Sequence, residues 1–268
     1  GSPERFLYSG IGIKMVSEIQ INREYVFYSS ISKIIESNFD QKVSLPSSNM
    51  EKVRTQIVDY LQQSSEHIHI TTMDLERVWS PYKNIYSKVT LGLLERMYGG
   101  FSSEIMYKSF DSNFALSVEF NKVKKRGYQQ RFDFLEYETN TQHLNVAYYH
   151  PATNILAKWS YGTYLAKDKG YTLDLSRRMP SGWNAGIFFT RTNVSAEDFG
   201  EGSFDKGFYF SIPTNLFYTD YRRGNITFGL HPLTKDGGAM LMHHHPLHGL
   251  LGDSNLSSFR RDWDHFLN

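Results

Sequence analysis

Along most of the chain, apolar and polar residues alternate with a period of two, which predicts strands with one greasy face and one wet face. Ile11, Ile13 and Met15, then Ile19 and Ile21, alternate with Gly12, Lys14, Glu18 and Gln20. Phe114, Leu116, Val118 and Phe120 alternate with Asn113, Ser117, Glu119 and Asn121. The same rhythm runs through Leu144–Tyr148, Ile155–Tyr161, Leu173–Leu175, Phe208–Ile212 and Ile226–Leu230. Strand 183–194 is ambiguous, because Ile187 and Phe189 on one face are matched by Phe188 on the other. Turn chemistry falls between the runs at Gly99-Gly100, Asp111-Ser112-Asn113, Pro151–Asn154, Lys167–Gly170 and Pro180-Ser181-Gly182.

The short spacing predicts antiparallel hairpins in sequence order. Twelve or thirteen strands are expected, at about 9–21, 24–35, 65–78, 84–97, 101–109, 112–125, 128–138, 141–149, 153–166, 170–179, 183–194, 204–216 and 222–232. The polar face carries Gly12, Gly92, Gly162, Gly186, Gly207 and Gly229 beside Lys, Glu, Asp and Ser. A wet face of this kind suits the lumen of a barrel, with the apolar residues turned to lipid. The expected fold is therefore all-β: an antiparallel up-and-down transmembrane β-barrel of about 12 strands (12 ± 2), in the bacterial outer membrane. A soluble carbohydrate-binding β-sandwich is the alternative from pattern alone.

Residues 49–62 break the rhythm. Met50, Val53, Ile57, Val58 and Leu61 recur at helical spacing, so a short amphipathic helix is expected in a long loop over 36–63, packed on the rim or plugging the lumen. The barrel domain is expected to span 1–238, with 239–268 as a C-terminal tail in which Ser257–Phe266 could add a helical turn or two.

Composition sharpens this only in places. Aromatics are 15% of the 268 residues, and mean hydropathy is −0.46. With 29 Lys+Arg against 28 Asp+Glu, no nucleic-acid partner is expected. The absence of cysteine excludes disulfides, thiolate metal sites and a Cys nucleophile. No apolar run reaches 18 residues, so no transmembrane helix is expected. Gly1-Ser2 reads as a cloning scar, which makes the lack of a signal peptide uninformative.

Met242–His248 holds four imidazoles that could bind Zn²⁺ or Ni²⁺, but no carboxylate is spaced in the sequence to complete a site. The expectation is a solvated loop, no metal and no cofactor. Lys122–Arg126 is a basic run that suits either lipopolysaccharide phosphates or a solvated strand tip. No G-x-S-x-G elbow, H-E-x-x-H helix, P-loop or dinucleotide fingerprint is present. No enzyme activity is expected; an outer-membrane barrel enzyme acting on lipid or glycan is the alternative.

Several motifs carry a resemblance. Ala166–Gly170 with Leu173–Arg178, then Asn193–Gly207, Ser211-Ile212-Pro213 and Pro232–Gly238 resemble the C-terminal part of the YjbH/GfcD family, with weaker agreement through Leu94–Gly100. That resemblance implies an outer-membrane β-barrel (lipo)protein encoded beside exopolysaccharide or group 4 capsule genes, and a chain that is one portion of a longer protein. It implies a role in secreting or assembling a surface polysaccharide, as conduit or scaffold, but no catalytic residues. Expected partners are outer-membrane lipids and lipopolysaccharide, the surface polysaccharide and other export-machinery proteins. Strand parity then makes Lys158, Tyr164, Asp174, Arg178, Glu197, Asp198, Glu201, Asp205, Lys206 and Tyr209 candidates for binding glycan through stacking rings and paired charges.

Overall fold

The computed structural model describes residues 9–39, 50–179, 182–195, 204–214, 225–230, 235–252 and 254–263. Among them, twelve strands form one antiparallel sheet whose spatial order is the sequence order. They are β1 (Gly10–Gln20), β2 (Tyr25–Ser37), β3 (His69–Tyr82), β4 (Ile85–Leu93), β5 (Tyr98–Lys108) and β6 (Phe114–Arg126). The sheet continues with β7 (Phe134–His150), β8 (Ile155–Thr163), β9 (Lys169–Arg178), β10 (Asn184–Thr192), β11 (Asp205–Pro213) and β12 (Asn225–Leu230). Among the described residues three short helices accompany them: α1 (Ile57–Glu66), α2 (Leu247–Leu251) and α3 (Leu256–Asp262). A single meandering sheet replaces the two packed sheets of a sandwich. Among the described residues no ladder joins β12 to β1, and no helix is long and apolar enough to cross a membrane.

The sidedness of the wall is the reverse of a water-soluble sheet. Ile105, Val118 and Ile187 are 58%, 57% and 58% exposed, while Glu76, Lys88 and Asn121 are at most 2% exposed. Polar positions are buried because the sheet curls around residues 235–251. Glu18 of β1 and Asp205 of β11 both meet that segment, at His245 and Lys235. Phe188, ambiguous in the sequence, turns inward and lines the interior, while its neighbour Ile187 points out.

Residues 235–251 enter at the end of the barrel that holds the β4–β5 and β8–β9 turns, where Leu165 N donates to Ala239 O. They leave at the opposite end, where Lys108 Nζ donates to Gly252 O and Leu256 N to Phe110 O. The entry end is capped by α1 and the residues before it. Val53, Tyr60, Met97, Tyr98, Leu165 and Leu241 form a buried apolar cluster there. Each fully buried side chain of this size contributes about 1.5–3 kcal/mol.

Three sequence-based readings shift. The expected strands 128–138 and 141–149 are one strand, β7, whose middle pairs without a break (Asn140 with Lys122, Thr141 with Asn121). Both faces of β7 are polar there, so alternation lapses although the ladder does not. Gly99-Gly100 is not a turn but lies in β5. The helix begins at Ile57 rather than 49, because Asp236 Oδ1 accepts from Arg54 N (2.7 Å) and Thr55 N (3.0 Å), holding that backbone in an irregular path. Residues 40–49 of the long loop lie outside the described ones.

Gly92 (φ 142°) and Gly100 (φ 147°) face each other across β4 and β5. A Cβ on Gly100 would stand 2.3 Å from Lys122 O, and on Gly92 2.4 Å from Met73 O. Both the backbone conformation and the space require glycine. Gly100→Ala is expected to lower stability by about 1–3 kcal/mol, the usual cost of one such strained residue. Gly229→Ala, whose Cβ would meet nothing closer than 3.8 Å, should be near neutral. Denaturant unfolding of the two variants against the parent chain checks the contrast.

Candidate functional site in the barrel interior

Inward parity on successive strands places charged residues in facing positions. Glu76 on β3, Lys88 on β4, Glu104 on β5, Glu119 on β6 and His143 on β7 all face inward. Charges at such positions need partners, since desolvating an unpaired ion costs several kcal/mol. The internal segment supplies them. His243 Nε2 lies 3.3 Å from Glu119 Oε1, whose other neighbour is Asn121 Nδ2 at 2.6 Å. His245 Nδ1 lies 2.9 Å from Glu76 Oε2, and Leu247 N donates to Glu104 Oε2 at 3.3 Å. Lys88 Nζ donates to His245 O and stands 3.6 Å from Glu76 Oε1. His244 stacks on Tyr28 of β2 with ring centroids 4.0 Å apart.

The histidine run is thus not a solvated loop: the carboxylates missing from its local sequence come from the wall.

At the capped end, Arg54 and Glu95 form a bidentate pair (Nη1–Oε1 2.6 Å, Nη2–Oε2 3.1 Å). Arg54 Nη2 also donates to Met240 O, and Glu95 Oε2 accepts from Met242 N at 3.0 Å. Burial would lower the Arg54 pKa, but the Glu95 carboxylate overrides it and the net shift is upward. Asp168, in the β8–β9 turn, accepts from Gly238 N at 2.8 Å, and its burial raises its carboxyl above the ordinary value. Arg126 reaches across this end to the carbonyls of Ile70, Thr71, Glu95 and Arg131. The basic run is therefore split: Lys125 and Arg126 are buried fasteners, while Lys122 and Lys124 face outward and are exposed.

Between the internal segment and the wall lies a cavity of about 710 Å³, lined among others by Thr172, Asp174, Phe188, Thr190, Met240 and His243. Three of the sequence-derived binding candidates converge beside it. Asp174 Oδ1 lies 3.5 Å from Lys158 Nζ, and Tyr209 Oη donates to both Asp174 oxygens at 3.0 and 3.1 Å. Tyr164 is buried and bonds Thr172 Oγ1 (2.8 Å), which in turn bonds Thr190 Oγ1 (2.7 Å). Asp205 also faces inward, bound to Lys235. Lys206 faces the opposite side, its Nζ 4.7 Å from the Phe204 ring, and Arg178 sits at the far end of β9. Glu197, Asp198 and Glu201 lie outside the described residues. The interior charges on β3–β6 and their histidine partners were not among the candidates. Their signal in the sequence was charge at wet-face parity in mid-strand (Asp74, Glu76, Lys88, Glu104, Glu119).

Comparisons with known proteins add a family. Residues 1–253 match the YjbH family, described as exopolysaccharide biosynthesis protein YbjH. The uncharacterized lipoprotein YjbH of Escherichia coli (strain K12) is 33% identical over 265 residues, covering 96% of this chain and 37% of that protein. The chain thus spans little more than a third of that relative's length. Among solved structures, Acinetobacter baumannii OccAB2 aligns with 90% of this chain and 67% of its own, at TM-score 0.40 and 10% identity.

Two outcomes are expected. Arg54→Met or Glu95→Gln, by leaving one buried charge alone, should each cost about 3–5 kcal/mol, and the combined Arg54→Met/Glu95→Gln variant less than their sum; a double-mutant cycle from equilibrium unfolding measures this. Asp168, with its folded pKa above its unfolded value, contributes stability that is full below the unfolded value and lost as pH rises through the folded one. Asp168→Asn keeps an acceptor for Gly238 N but cannot ionise. Above about pH 4, the stability of the parent relative to this variant should fall with rising pH.

Proposed function

For a chain that belongs to the YjbH exopolysaccharide biosynthesis family, we propose a role as an outer-membrane β-barrel that serves the secretion or assembly of an exopolysaccharide or capsule. The observation that carries the membrane part is the reversed sidedness of the wall: Ile105, Val118, Phe120 and Ile187 outward, Glu76, Lys88, Asn121 and Thr141 inward. Water would favour the opposite arrangement, whereas hydrocarbon outside and polar partners inside favour this one. The exposed Lys122 and Lys124, near one end of β6, suit the phosphates of lipopolysaccharide.

The filled interior favours a scaffold, or a gate that must be cleared, over a permanently open conduit. Residues 235–251 occupy the path that a polysaccharide would need. Glycan contact falls to the remaining cavity, where Phe188 offers a ring face and Asp174, steadied by Lys158 and Tyr209, offers acceptors. The role is non-catalytic, and other export-machinery proteins are its partners.

Refolding into lipid vesicles tests the membrane part. Val118→Lys and Ile105→Lys should each lower insertion by about 2–4 kcal/mol if those positions sit at mid-bilayer, and Asn140→Lys, also outward-facing, is the comparison. Monodisperse behaviour without detergent would sink the proposal. Planar-bilayer recordings address the interior: the intact chain should conduct little, and removing residues 239–263 should raise conductance. A large steady conductance from the intact chain would rule out the filled lumen.

A further inference from the structure

The interior brings together a set of metal-ligating atoms that the sequence keeps 168 residues apart (Glu76 to His244). One ligand atom each from Glu76, His244 and His245 lies within 4.8 Å of the other two. His244 Nε2 is 3.6 Å from Glu76 Oε1, and His245 Nδ1 is 2.9 Å from Glu76 Oε2. Both rings therefore turn one nitrogen toward the same carboxylate. We propose that Glu76, His244 and His245 form a divalent transition-metal site, best suited to Zn²⁺, that fastens the internal segment to β3.

Three further features support it. The nitrogen of each ring that faces away from Glu76 faces another carboxylate: His244 Nδ1 is 3.7 Å from Asp74 Oδ2, and His245 Nε2 is 3.9 Å from Glu18 Oε2. Carboxylates behind ligating imidazoles fix the tautomer and aim the free lone pair at the metal. Asp74 is 2% exposed, and neither of its oxygens nor His244 Nε2 has a hydrogen-bond partner among the described residues. Buried polar atoms of that kind call for an ion or a water. Asp74 and Glu76 lie buried near each other, and among the described residues Lys88, 3.6 Å from Glu76 Oε1, is the one Lys or Arg in salt-bridge reach of either. Lys88 stays on the His245 carbonyl and Glu76 Oε1, leaving Oε2 for the metal. Two imidazoles and a carboxylate match the preference of Zn²⁺, Ni²⁺ or Co²⁺, whereas Ca²⁺ and Mg²⁺ want oxygen shells. Three protein ligands leave one tetrahedral position, and His244 also lines the 710 Å³ cavity, so that position can take water or a ligand from the cavity.

The test titrates ZnCl₂ into the untagged chain refolded in detergent, with metal content read after dialysis. One Zn²⁺ per chain is expected. Glu76→Gln and His245→Ala should each weaken binding at least 10-fold, and His248→Ala, outside the set, should leave it unchanged. The urea-unfolded parent, which keeps every histidine of the run but not the wall carboxylate, should also bind at least 10-fold more weakly. Co²⁺ substitution gives a second readout: tetrahedral absorption bands in the parent, lost in His244→Ala. Folding of each variant is checked by its heat-modifiable migration. No retained metal in the folded parent would overturn the proposal. So would equal affinity in the folded parent, the unfolded parent and folded Glu76→Gln, which would mean that the histidine run chelates unaided.

Discussion

An ionised side chain turned into a closed protein interior must find a counter-charge or a set of hydrogen bonds there, and a β-wall cannot supply these from its own ladder. The ladder consumes its backbone groups in pairing neighbours. One facing inward pair on this wall holds charges of the same sign, Glu104 opposite Glu119. A second body is needed inside, and it must bring donors. Residues 235–251 provide them as imidazoles (His243, His245), backbone N–H groups (Met242, Leu247) and a carbonyl for Lys88. The extended, mostly strandless path of this segment follows from that duty. Backbone groups tied up in a helix or strand could not reach the carboxylates of the wall.

The wall itself was largely legible. Period two fixes which residues share a face, and the parity inferred at Phe208–Ile212 or Phe114–Asn121 is the parity of the structure. The lapses have one cause. Where both faces are polar, as around Asn140 in β7, alternation disappears while the hydrogen-bonded ladder continues. Gly99-Gly100 misled differently: two glycines serve a turn or a close approach of strands equally well, and only the position of Lys122 O distinguishes them.

The interior was legible only in part. Parity could bring Lys158, Asp174 and Tyr209 together because their strands are neighbours or next neighbours. It could not bring Glu76 to His245, since nothing local says that a segment after the last strand turns back through the sheet. Asp236 is the clearest case. Its carboxylate orders the backbone of Arg54 and Thr55, 182 and 181 positions away, so the start of α1 is set by a residue far along the chain.

That return path has a consequence for the order of assembly. Hairpin contacts in the wall join residues from a few to 52 positions apart (Tyr25 with Arg77 at the upper end), whereas His245 meets Glu76 across 169 and Arg54 meets Met240 across 186. Loop-closure entropy grows with the logarithm of that span, and going from about 20 to 169 residues costs roughly 2 kcal/mol more before any contact repays it. Contacts of low sequence separation form sooner. The neighbouring hairpins of the wall therefore form first, with their inward charges hydrated, and residues 235–251 dock after them. Glu76, Glu104 and Glu119 each exchange water for an imidazole or a backbone amide in that later step, so this part of the interior loses its water only after its strands have paired.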